Sequence, residues 1–323
     1  MRIALAGDVM LGRLVDERLR RETPDYPWGD VLPLLAQADL RIVNLECVLA
    51  DDGPPWPRKT FHFRSDPANV AVLEAAGIDV VTLANNHVLD HGAGALGQML
   101  AVLDAHGIAR TGAGPDAAAA SAPAVVDVGG TAVGVVAATD NERRWAAGPD
   151  APGIAWLPID LQDPRAQEFL ALVRRTRART GFLVAAVHWG PNWGDDVPEE
   201  HRAFAHALVE AGADVVVGHS PHVFRGVELH HGRPVLYSAG DFVDDYAVHP
   251  VERNDQSFLF HLDVEDGRVR ALRLHPTVVE DCRAVRAGRE ARAIAARMAE
   301  RSAALGTASR WLADERCLEI PVG

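Results

Sequence analysis

The sequence predicts an α/β (α+β) fold, and three observations lead there. Short β-branched runs alternate with longer segments of helical period, the pattern that builds sheets covered by helices. Polar clusters follow directly behind apolar runs at six places along the chain. A hairpin pattern and then a helix close the sequence.

The strands are expected at 2–6, 40–43, 80–83, 133–137, 182–187, 215–217 and 235–237, each short, apolar and β-rich as buried strands are. Helix patterns occupy 67–76, 95–106, 164–179 and 199–212. Pro67 suits a first helical turn behind Ser65 and Asp66, while Gly77, Gly107 and Gly212 suit C-terminal stops. Residues 141–158 carry Gly148, Pro149, Pro152, Gly153 and Pro158 and read as a loop or flap between two halves of the core. Segments 257–264 and 269–274 flank the turn Glu265-Asp-Gly267 and predict a β-hairpin. An Ala/Arg-rich helix follows at 286–305, and no internal repeat is present. One domain is expected over 1–280, with 281–323 as a C-terminal helix and tail packed on it.

Composition narrows the function classes. A hydrophobic content of 48% and a mean hydropathy of -0.03 supply a globular core for 323 residues. Lys+Arg of 32 against Asp+Glu of 45 leaves a net charge of -13, which repels nucleic acid and anionic membranes. The apolar start ends at Asp8, too early for a signal peptide, and no window approaches the ~18 apolar residues of a spanning helix. A cytoplasmic chain with no membrane or nucleic-acid partner is therefore expected. Cys47, Cys282 and Cys317 are odd in number and widely spaced, as free thiols are.

The polar clusters carry the chemistry. Strand 2–6 delivers Gly7-Asp8, 40–43 delivers Asn44-Leu-Glu46, and 80–84 delivers Asn85-Asn-His87. Strand 182–187 delivers His188, 215–217 delivers Gly218-His-Ser-Pro-His222, and 235–239 delivers Gly240-Asp241. In α/β sheets, side chains at the carboxyl ends of strands converge on one crevice. Asp8 and Glu46 offer carboxylates, Asn86 an amide oxygen, and His188, His219 and His222 imidazoles, a set suited to Mn, Fe or Zn, or to harder Mg or Ca. Singly, Asp8 reads as a cap and Asn86 as a left-handed turn residue. Two histidines three apart around Pro221 do not read so blandly. The segment Gly7-Asp-Val-Met-Leu-Gly12 lacks the dinucleotide fingerprint G-x-G-x-x-G.

Taken together, the segments 7–13, 44–46, 85–92, 188–190, 218–222 and 237–242 resemble the CapA family, over roughly residues 1–275. That family is named for poly-γ-glutamate capsule synthesis and is related to the calcineurin-like metallophosphoesterases. The resemblance implies a calcineurin-like β-sandwich flanked by helices, with the metals at its edge. It also implies that Asp8 is a ligand of a first metal, Glu46 a bridging carboxylate, and Asn86, His188 and His219 ligands of a second. His222 then returns to the first metal, His87 protonates a leaving group, and Asp90 orients it. The superfamily usually begins Asp-x-His, whereas here Asp8 is followed by Val9 and Met10, so the first site lacks an imidazole. Asp241 adds a carboxylate and is taken as catalytic.

One or two divalent ions are thus expected: Mn, Fe or Zn in a hydrolase, Ca or Mg in a single oxygen-rich site. Hydrolysis of a phosphoester or amide-like bond is the leading activity, on a small-molecule or peptide substrate. Epimerisation of a ribosomally made, lasso-type peptide is the alternative, and a non-catalytic, metal-stabilised binding module the second alternative. Arg13, Arg64, Arg225 and Trp189 are expected to bind substrate. Lys59 reads as solvated surface, while Trp145 and Trp193 divide between cleft and core.

Overall fold

A computed structural model describes residues 1–323 as two sheets packed face to face and covered by helices on both outer sides. The ten-stranded sheet runs Arg310–Leu312, Cys317–Pro321, Arg268–Glu280, Gln256–Glu265, Arg2–Val9, Leu40–Leu45, Val80–Thr82 and Ala109–Thr111, with Asp241–Val243 and Arg283–Arg286 paired off this path. The six-stranded sheet runs Val227–His230, Arg233–Leu236, Val215–His219, Phe182–His188, Thr131–Thr139 and Ala124–Val128. The strands that carry the polar clusters are parallel to their neighbours, so their carboxyl ends lie at one edge.

Period-two alternation builds three apolar layers. Ile3 and Leu5 face inward and share a buried cluster with Val135, Val184 and Val217 of the second sheet. Ala4 and Ala6 face outward against Leu96, Met99 and Leu103 of helix Gly92–Ala105. Leu183, Ala185 and Val187 meet Phe169 and Val173 of helix Pro164–Arg177 and Phe204 and Leu208 of helix Glu199–Ala211. This is the helix-flanked α+β sandwich that the family resemblance implies.

The boundaries differ in informative ways. The first strand runs on to Val9, because Asp8 pairs with Asn44 on one side and Asp241 on the other. The helix expected at 67–76 splits into a 3-10 turn, Pro67–Asn69, capped by Asp66, and the helix Val70–Ala75. The helix expected from 286 starts at Ala291, since Arg283–Arg286 pairs as a strand with the end of Arg268–Glu280. Segment 141–158 is no free flap: Trp145 is buried and Gly153–Ile154 pairs with Ala113–Gly114. The hairpin is present, with Asp266 and Gly267 at φ 51° and 69°, the left-handed pair that a tight turn of this twist needs. No helix is long and apolar enough to cross a membrane. The three cysteines are unpaired, and burial pushes the Cys47 thiol up to about 12, which makes it inert.

Two residues show how tightly the frame is set. A Cβ on Gly7 would lie 1.9 Å from the Gly240 carbonyl oxygen, so only glycine lets these two chains meet beside Asp8. Gly7→Ala is expected to destabilise the fold by about 3 kcal/mol, read by denaturant unfolding. On the second sheet, Glu228 accepts hydrogen bonds from Arg202, His206 and Tyr237. Burial works to raise Glu228, but these donors outweigh it and bring it down to about 2. A depressed carboxylate stabilises fully above its ordinary value and loses that contribution as pH falls through the folded one. Stability should therefore fall between pH 4.5 and about 2, and less steeply in Glu228→Gln, when both are followed by urea unfolding across that range.

Candidate metal centre

Six strand ends converge where the two sheets meet. Asp8, Glu46, His222 and Asp241 bring their ligand atoms within 4.8 Å of one another. His188 adds its Nε2 at 3.8 Å from Glu46 Oε1, and His219 places its Nδ1 2.9 Å from Asp8 Oδ1. The spacing of His219 and His222 works through Ser220, whose φ of 94° is strained for a residue with a Cβ. That turn sends His219 to Asp8 and His222 to Asp241, at 2.8 Å. Asp241, expected as a catalytic group, thus belongs by position to the ligand cluster.

Buried polar atoms normally find a partner, and an unpaired one costs roughly 1–3 kcal/mol. Here Asp8 Oδ2, Glu46 Oε2, Asn86 Oδ1, His188 Nε2 and Asp241 Oδ2 are all buried and unpaired. The opposite oxygens of two of them are satisfied: Asp8 Oδ1 accepts from Asn44 at 2.8 Å, and Asp241 Oδ1 faces His222. In Asp8 and Asp241 one oxygen is tied to the protein and the other has no partner. The donor set of oxygen and imidazole nitrogen fits a divalent ion.

The charges follow from burial and neighbours. Burial works to raise Asp8, yet the His219 contact and the nearby imidazoles hold it well below the usual carboxylate range. Glu46 goes the other way, pushed well up by burial and by the charges of Asp8 and Asp241. Burial also lifts Asp241 to about 6, more than His222 can lower it. Burial opposes the charged form of His222, but Asp241 and Asp8 prevail and raise it to about 9. Desolvation lowers His188 to about 3, which keeps its imidazole neutral.

His87 and Asp90 form the second part of the site. His87 Nδ1 lies 2.6 Å from Asp90 Oδ2, which also accepts from the Phe63 amide at 2.7 Å. The Phe63 ring stacks on the imidazole, with centroids 3.9 Å apart. Nε2 is left facing the cluster, 3.9 Å from Glu46 Oε1. Burial lowers His87 to about 4 despite Asp90.

Several assignments change. Lys59, expected on the solvated surface, is only 9% exposed and pairs with Asp90, with its ammonium also on the Asn86 carbonyl and 3.1 Å from His87 Nδ1. Nothing in its local sequence marks this, because loop 51–63 folds back over the site only in the tertiary structure. Trp189 is fully buried, stacked on His201 and bonded to the Tyr237 carbonyl, so no substrate can reach it. Arg225 is likewise buried, donating to the Gly194 carbonyl at 3.0 Å and fixing the 190s loop. Arg13 stays at the rim, 38% exposed, over the rings of Phe61 and Phe63 and beside Asp245. Arg64 follows Phe63 and is half-buried. Trp193 stands at the mouth, 5.7 Å from His222, whereas Trp145 is core. Tyr246, unmarked by any motif, packs its ring 5.0 Å from His222 and keeps a buried, unpaired hydroxyl.

A helix-flanked sandwich of mixed sheets, with carboxylates, an amide and imidazoles gathered at the ends of its parallel strands, defines a calcineurin-like α+β protein. Within that class the chain belongs to the bacterial capsule synthesis protein PGA_cap family, whose model matches residues 2–246. It is 36% identical to a probable polyglutamine synthesis accessory protein of Mycobacterium tuberculosis, across 88% of this chain and 86% of that one. It is 28% identical to the PGA biosynthesis protein CapA of Bacillus subtilis, across 75% of this chain and 63% of that one. A solved structure of a hypothetical protein from Thermus thermophilus shares the fold, with a TM-score of 0.54 at 20% identity, covering 87% of this chain and 100% of that one.

Asp90→Asn tests the His87 support. It leaves the Lys59 ammonium buried without its counter-charge, and a cost of about 3–5 kcal/mol is expected, measured by urea unfolding. The double variant Asp90→Asn/Lys59→Met should recover part of that loss.

Proposed function

We propose that this family member is a metal-dependent hydrolase that cleaves a phosphoester or amide-like bond. The observation that supports the reading most is the set of five unpaired, buried ligand atoms at the strand ends. Asp8, Glu46, Asn86, His188, His219, His222 and Asp241 would hold one or two divalent ions: Mn, Fe or Zn by the mixed donor set, Ca or Mg if the carboxylates act alone. The chemistry such an ion supplies is polarisation of a substrate oxygen and acidification of water.

The chain's own side chains do the rest. Asp90 accepts from Nδ1–H of His87, so the neutral ring carries its lone pair at Nε2, toward the cluster. His87 takes a proton there from the attacking group and returns it to the leaving group as general acid. Lys59 balances the charge of Asp90, and Phe63 fixes the plane of the ring. Arg13, over Phe63 and half-exposed beside Asp245, is a cation on the His87 side of the site that could meet a phosphate or carboxylate. The names of two relatives, one for polyglutamine synthesis and one for PGA biosynthesis, make an amide-linked polymer one substrate of this chemical class.

A second reading rests on a second pair, His222 with Asp241, beside His87 with Asp90. Two acid/base pairs are what inversion of a peptide Cα centre requires. Deuterium uptake from heavy water at a peptide Cα separates this reading from hydrolysis.

Plasma mass spectrometry of purified protein and turnover of an aryl phosphate test the proposal. Turnover that depends on one or two equivalents of Mn, Fe or Zn is expected; Ca or Mg without turnover but with deuterium uptake transfers the site to epimerisation. His87→Ala should keep the metal and lose roughly 10²–10⁴-fold in rate, and a full-rate variant removes His87 from the chemistry. His219→Ala should lose metal; unchanged stoichiometry ends its role as a ligand.

A further inference from the structure

A second cluster of imidazoles and carboxylates lies at the other end of the six-stranded sheet. Strand Arg233–Leu236 runs parallel to Val215–His219, so the turn that precedes it sits at the amino ends of the strands, opposite the centre described above. That turn carries His230 and His231, and it faces the last turn of helix Glu199–Ala211, which carries His206 and Glu210 one helical turn apart.

We infer that Glu210, His230 and His231 form a separate binding site for a borderline divalent cation such as Zn²⁺ or Co²⁺. Their ligand atoms all lie within 4.8 Å of one another. His230 Nε2 is 3.3 Å from Glu210 Oε1. Two ligands of a tetrahedral ion with bonds of about 2.0–2.1 Å are separated by about 3.3–3.4 Å, so this pair already spans one edge of the coordination shell. The His231 ring stands 4.2 Å from that of His230 and needs only side-chain rotation to complete a third corner. Glu210 is free to adjust, with its side chain 61% exposed, and water fills the fourth position from the open side.

Two further observations hold this geometry. The His206 ring lies parallel to that of His230 at 3.7 Å, with planes 6° apart, and its own Nε2 is fixed by Glu228 at 3.0 Å. His230 is thus oriented from behind, as ligating imidazoles are by their surroundings. His231 sits at φ 50°, ahead of Gly232 at φ 71°, which is the tight turn joining Val227–His230 to Arg233–Leu236. The turn forces the two histidines to leave the hairpin side by side. Imidazole nitrogen selects a transition ion over Mg²⁺ or Ca²⁺, and the chain's net charge of -13 favours any cation. An ion here would tie the helix to the hairpin.

The test uses Co²⁺ alone on the chelator-treated full chain. Equivalents bound are counted by equilibrium dialysis, and four-coordinate geometry is read from the visible absorption. Wild type should bind one Co²⁺ more than His230→Ala/His231→Ala, and the difference spectrum should be tetrahedral. Glu210→Gln should weaken that equivalent at least ~10-fold, and the rise in Tm that Co²⁺ gives through this site should disappear in the double variant. His231→Asn retains a residue suited to left-handed backbone, so loss of the same equivalent there cannot be assigned to a damaged turn. Equal numbers of Co²⁺ at equal affinity in wild type and variants, all folded by circular dichroism, would overturn the site. The comparison is a difference, so it stands whether or not the centre at the other edge takes metal.

Discussion

Like charges gathered in a dry place are the constraint on which the rest of this structure depends. Asp8, Glu46 and Asp241 lie together with almost no access to water, and Asp90 is buried beside them. Burying one carboxylate without compensation is costly, and three at a single point repel one another as well. The fold answers with His222 and His219 against two of these carboxylates and with Lys59 against Asp90. Glu46 has no partner as close, and its upward shift records the imbalance. The unpaired oxygens show which side of the cluster the protein leaves uncompensated.

Holding that cluster takes rigid backbone from both sheets. Gly7 and Gly240 pass in near contact so that Asp8 and Asp241 can sit side by side in parallel strands. Asn44 donates to Asp8 and accepts from Thr82 and Asn85, tying three adjacent strand ends together. Asn85 also accepts from the His87 amide and so sets the turn that aims the imidazole. These asparagines need not touch a ligand to matter. They convert strand pairing into a fixed separation between carboxylates and His87.

The parts of the fold that were plain in the sequence are those governed by local pattern. Apolar strands, glycine stops and the Asp266-Gly267 turn follow from backbone preference and periodicity, and they lie close to where they were expected. The tail was less plain: Arg310–Leu312 and Cys317–Pro321 are too short to show strong alternation, and only pairing with each other and with Arg268–Glu280 makes them strands. The start of the last helix moved because Arg286 is held in a strand pair and Gly288–Glu290 forms a 3-10 turn before the helix begins at Ala291.

By itself the sequence determined the class of fold, the family and the chemical types at the centre, because strand ends are local features and each delivers its polar residues at a fixed offset. It could not tell which side chains from distant loops would be pulled in or shut out. Lys59 and Phe63 reach His87 because loop 51–63 folds across the strand ends. Trp189 and Arg225 point into the interior because the 190s loop closes over them. Those outcomes depend on packing between segments far apart in the chain, where burial and charge pairing are settled by the whole structure, and only the tertiary fold decides them.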